Sequence, residues 1–186
     1  IAPNLPANLD SVNIHSYLDG VKIKERPMAF VILMCVIAAL AWGLGRLGVE
    51  VLKDHRLALR IGMSAAFLFV GIDHLATPER YLPMMPPFVP FHEEVIFFTG
   101  LCEIAGAIGL LWPRFMRLAA LMLALYAVAV FPANIHNALN GLSVESLPQS
   151  TTYYWLRLAF QPLIIWWALY AGGVIGKRAS PAPEQA

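Results

Sequence analysis

Between residues 28 and 174 the chain carries five apolar, low-charge runs. Each is close to the roughly 20 residues that an α-helix needs to cross a hydrocarbon layer about 30 Å thick. A backbone that enters hydrocarbon must satisfy its own N–H and C=O groups, so runs of this kind fold as helices and not as open strands. They cover about 28–45, 57–76, 95–112, 118–137 and 153–174; the second stops at Thr77-Pro78 and the third at Pro113-Arg114. The first begins after a polar segment and is a full span long, which reads as a membrane helix and not as a cleaved signal peptide. Composition agrees: 59% of residues are hydrophobic and 13% charged, against about a quarter charged in ordinary soluble domains. The expected class is all-α, an integral membrane bundle whose first partner is the lipid bilayer.

Charge placement suggests an orientation. Arg46, Lys53, Arg56, Arg60, Arg114, Arg117, Lys177 and Arg178 fall on one side of the five spans; Lys22, Lys24, Arg26 and Arg80 fall on the other. By the positive-inside rule the first side is cytoplasmic, which puts the N-terminus outside and the C-terminus inside. The net charge is +1 and no basic run is interleaved with aromatics, so nucleic acid is not an expected partner. Cys35 and Cys102 stand singly in apolar runs and read as small core residues. Residues 78–90 contain five prolines and cannot form a regular helix. This stretch is expected to lie on the membrane surface as a lid carrying Met84, Met85 and Phe88. The pairs Tyr153-Tyr154 and Trp166-Trp167 read as interfacial belt residues.

Polar side chains inside spans are costly in hydrocarbon, so they face the bundle interior and find partners there. Asp73 and His74 lie on the second span, Glu103 on the third, Asn134, His136 and Asn137 on the fourth, and Arg157 and Gln161 on the fifth. At about 1.5 Å rise per residue, Glu103 sits roughly 14 Å below Glu94 and Arg157 roughly 8 Å below Thr152. His74 and Asn134 are near their own helix ends, so the set converges on one level in the outer half. Thr99, Glu103, Gly106 and Leu110 share one helical stripe, and Gly106 allows a neighbouring helix to come close. Pro132 and Pro162 each remove a helical hydrogen bond and free a carbonyl. Asp73, one residue from His74, points to another face. Two readings stand: a buried Glu103–Arg157 salt bridge that locks helix register, or a site for a ligand or protons. No His pair at i, i+4 is present, and no metal site is expected.

The runs FLFVGIDHLATPERYLPMMPP, FTGLCEIAGAIGLL, AVFPANIHNAL and WLRLAFQPLIIWWAL resemble, in order, the DoxX family of small multi-pass membrane proteins. The resemblance implies a four-helix transmembrane bundle with one additional N-terminal transmembrane helix. The parts are then a polar segment at 1–27, the extra helix and its connection at 28–52, the bundle at 53–176 and a polar tail at 177–186. It places the family's typical polar positions on His74, Glu103, Pro132, Asn134, Arg157 and Gln161. What it implies about function is broad: relatives are linked to thiosulfate:quinone oxidoreductase and quinol oxidase complexes, to methylamine dehydrogenase maturation and to receptor assembly. The expected function is a redox-associated subunit that binds a quinone or similar lipid-soluble carrier in its outer half, beside other subunits of a membrane redox complex. Arg157, Gln161 and Asn134 would donate hydrogen bonds, and Glu103 and His74 would relay protons. The alternative is a non-catalytic structural or assembly subunit. No haem or flavin motif is present.

Overall fold

Every long apolar run is helical in a computed structural model that describes residues 28–140 and 151–176. The helices are α1 (Ala29–Arg46), α2 (His55–Ala76), α3 (His92–Leu111), α4 (Met116–Ala129), α5 (Phe131–Asn140) and α6 (Thr151–Ala171). Short 3₁₀ turns stand at Glu50–Lys53, Pro78–Arg80 and Leu82–Met84, and no strand occurs among the described residues. The segment 1–27, with its Lys22, Lys24 and Arg26, and the tail with Lys177 and Arg178 lie outside the described residues.

Local chemistry sets the ends. Asp54 caps α2, its carboxylate accepting the Arg56 amide N–H at 2.9 Å. Thr77 precedes Pro78 and leaves the helical region at φ −139°, as the residue before proline tends to. The fourth run is not one helix: the chain turns at Val130, ahead of Pro132, which has no N–H to give, and α5 follows directly. Gly48 turns the chain between α1 and α2 at φ 110°, a conformation closed to most L-residues.

Four segments are long and apolar enough to cross a membrane: α1, α2, α3 and the joined α4–α5 stretch Met116–Asn140. Five were expected. The 21-residue α6 is as long but less apolar, because Arg157, Gln161, Pro162 and its tyrosines and tryptophans dilute its aliphatic residues.

Successive helices pack side by side, and α6 closes the group by resting on α4, α5 and α2 while α1 lies along α2. The apolar core joins Met34 of α1 to Met63, Ala66 and Phe67 of α2, Leu110 of α3, Leu123 of α4 and Ala168 of α6. Small residues let the backbones touch, as membrane helices commonly do. A Cβ on Gly62 would stand 2.3 Å from the Met34 carbonyl, and one on Gly172 would stand 2.1 Å from Ala120 Cβ. At the end where α2 begins, Arg60 donates to the Ala171 carbonyl at 3.2 Å and the Trp167 indole N–H to the Leu59 carbonyl at 3.1 Å. Trp167 is therefore a tie between helices. Trp166 is 48% exposed and stacks on Tyr170. Tyr154 is 1% exposed, so it leaves the belt reading, and Cys35 faces outward from the bundle instead of filling its core.

Candidate functional site

The polar residues gather at the other end, where α2 finishes and α3 begins. Gly71 and Gly100 meet there: a Cβ on Gly71 would stand 2.8 Å from the Gly100 carbonyl, and one on Gly100 would stand 2.9 Å from His74 Cβ. This backbone contact brings His74 and Glu103 side by side. The Nδ1–H of His74 donates to Glu103 Oε2 at 2.7 Å, and the Tyr126 hydroxyl donates to Oε1 at 2.7 Å. Glu103 is only 3% exposed, so both carboxylate oxygens are satisfied without water. With Nδ1 committed to the carboxylate, Nε2 of His74 has no hydrogen-bond partner among the described residues.

The Glu103–Arg157 salt bridge, one of the two readings of the sequence, does not form. Glu103 is taken by α2 and α4, and Arg157, half-buried on α6, makes no ion pair among the described residues. Asn134 and Gln161 do meet: Asn134 Nδ2 donates to Gln161 Oε1 at 3.0 Å, and Gln161 Nε2 donates to the Ala127 carbonyl at 2.6 Å. A backbone acceptor thus joins the network, in the last turn of α4 before the break that Pro132 enforces. Both amides bond within the protein. Asn137 Oδ1 and the Tyr154 hydroxyl are buried and unpartnered among the described residues.

Asp73 does lie on a different face from His74, yet the two are joined by the Pro-rich connection. Arg80 Nη1 donates to both Asp73 oxygens, at 2.7 and 2.6 Å, and Thr77 Oγ1 and the Tyr81 hydroxyl donate to the same carboxylate. The Tyr81 ring stands edge-on to His74 with centroids 4.1 Å apart. Burial, and then the bond to the Asp73 carboxylate, raise the Tyr81 phenol well above its usual range, so it remains a donor at neutral pH. Asp73 is therefore a clamp that holds a tyrosine over the imidazole. Replacing Asp73 by Ala is expected to free this connection, and trypsin should cut after Arg80 several times faster in the variant than in the parent. An unchanged cleavage rate would show that the clamp holds nothing.

The lid residues separate. Met84 is buried against Ala138 and Tyr154, tying the connection to α5 and α6. Met85 is half-buried. Phe88 turns outward, 69% exposed, with its ring 6.5 Å from that of His136. Tyr126, Tyr81 and Arg80 were missed as site residues. A signal for Tyr126 was present, since its hydroxyl is the one polar side-chain group in the run 118–131. In hydrocarbon such a group needs a partner.

A family model described as Domain of unknown function (DUF8561) matches residues 63–171, from within α2 to the end of α6, leaving α1 outside the matched stretch. No curated protein and no solved structure matches the chain.

Proposed function

Because the chain belongs to this family of unknown function, we propose its role from the site itself: a redox-associated membrane protein that binds a quinone or similar lipid-soluble carrier beside His74 and handles its protons. The observation that carries the reading is the partner choice of Glu103. A carboxylate kept only to lock helices would pair with the nearest permanent cation. This one is bonded instead by His74 and Tyr126, two groups that can gain or lose a proton, and Arg157 pairs with no carboxylate among the described residues. An imidazole held by a carboxylate at Nδ1 with Nε2 open is arranged as a general base. His74 Nε2 would take a proton from one quinol hydroxyl and Glu103 would stabilise the imidazolium, while Arg157 would donate a hydrogen bond to the carrier's other oxygen. Oxidation of a quinol releases two protons and two electrons. One proton would go to His74 and the other to water at the membrane surface, and the electrons would pass to an acceptor in a partner subunit.

The resemblance to the DoxX family supports a quinone-linked role and a four-helix bundle of α2, α3, α4–α5 and α6 with α1 added. The basic residues at the end of α1 and the start of α2 support an orientation with the His74 end outside. Replacing Glu103 by Gln is expected to weaken binding of a short-chain ubiquinone analogue, titrated into the purified protein, by about tenfold, the loss of one charge-assisted interaction. Unchanged affinity would remove the proposal and favour a structural or assembly subunit.

A further inference from the structure

At the opposite end of the bundle, we propose that the connection between α1 and α2 binds the phosphate of an anionic lipid headgroup. A cavity of about 310 Å³ is lined there by Trp42, Gly45, Arg46, Leu52 and Lys53. Its floor is main chain: a Cβ on Gly45 would stand 2.2 Å from the Leu52 carbonyl oxygen, so the two backbones are in contact. The reversal that brings them together passes through Gly48 at φ 110°.

The lining suits an anion at a membrane surface. The Arg46 guanidinium lies 5.6 Å from the centroid of the Trp42 ring and pairs with no carboxylate among the described residues. Lys53 bonds Glu50 at 2.6 Å, but both side chains are exposed, at 56% and 78%, and such a pair is worth little against a competing anion. Trp42 is itself half exposed, the placement tryptophan takes at headgroup level. Around the cations stand apolar side chains without cover: Leu47 is 84% exposed and Val51 74%. Apolar residues beside basic ones in a short connection suit burial at the boundary of headgroups and acyl chains. A basic pocket between membrane helices is a recurring lipid headgroup site. A soluble phosphate would gain nothing from Leu47 and Val51, so the lipid is the favoured source of the anion. The site is independent of the quinone reading.

The test uses the whole purified protein in detergent at low salt, titrated with phosphatidylglycerol, phosphatidylcholine and inorganic phosphate and read by native mass spectrometry. Phosphatidylglycerol should bind more tightly than phosphatidylcholine. The double variant R46Q/K53Q should weaken it about thirtyfold, at the usual worth of a surface cation near anionic lipid. R117Q removes an exposed charge from the same end and should leave the affinity unchanged. Should the double variant misfold, Lys53→Gln alone carries the test with an expected loss of about fivefold. The proposal is overturned if the cavity variants bind phosphatidylglycerol as the parent does, or if R117Q weakens it equally. It is also overturned if inorganic phosphate binds as tightly as the lipid, which would give the site to a soluble anion.

Discussion

Replacing Glu103 by Ala is expected to destabilise the protein by about 3 kcal/mol, the largest loss from truncating a single polar side chain in the bundle. Removing an acceptor so that a buried donor is left unsatisfied costs about 1 to 3 kcal/mol per donor. Here two groups are stranded, the imidazole N–H of His74 and the hydroxyl of Tyr126, each 2.7 Å from the lost carboxylate. A void is left as well. Against this, single interhelical hydrogen bonds in membranes average only about 0.6 kcal/mol, since the unfolded chain in the bilayer finds other partners. The lower end of the range is therefore appropriate. Glu103→Gln keeps the shape and one acceptor and should lose only about 1 kcal/mol, which is why it is the variant suited to ligand titration. Unfolding of both variants in mixed micelles measures the difference. If the Ala variant unfolds with the parent, the carboxylate is not the centre of the network.

Gly71→Leu should have a comparable effect, about 3 kcal/mol, by a different route. The added side chain would have to occupy space held by the Gly100 carbonyl at 2.8 Å and Ile104 Cγ1 at 2.8 Å, and the carbonyl is backbone that cannot rotate away. Overpacking of a tight contact costs about 1 to 3 kcal/mol, and separating α2 from α3 also breaks the bond between His74 and Glu103. The second consequence can be read alone: the Nδ1 proton of His74, held by a carboxylate, gives a strongly deshielded NMR signal that should vanish in Gly71→Leu. Gly43→Ala is the control, because a Cβ there meets nothing within 4 Å and replaces glycine by the best helix former. It should be neutral or slightly stabilising. A variant at Gly71 that kept both the signal and the stability would show that the two helices are free to separate.

The helical part of the fold was legible to within a few residues. The second run, read as 57–76, is the helix His55–Ala76, and the third, read as 95–112, is His92–Leu111. The level of the site was legible for the same reason, since depth along a helix is residue number multiplied by rise. His74 and Glu103 were placed at a common height, and they are bonded. The identity of the partners was not legible. Glu103 and Arg157 were also compatible in height and opposite in charge, yet Glu103 faces α2 and α4, and Arg157 makes no ion pair among the described residues. Asp73 and Tyr81 were separated by sequence reasoning because one lies on a helix and the other in an irregular connection. Folding of that connection joins them.

What the sequence determined by itself, then, is that the chain is a set of long apolar helices suited to a bilayer, read as five spans where four meet the length and apolarity a crossing needs, with its ionisable interior residues toward one end and a basic cluster toward the other. Hydrophobic length, helix stops and rise per residue are local properties, and neighbours in space do not alter them. Only the tertiary structure decided which polar groups touch. That depends on how far each helix is rotated about its own axis, and the rotation is set by backbone contacts at Gly62, Gly71, Gly100 and Gly172. A glycine shows in a sequence that a close approach is allowed. It does not show which helix will come.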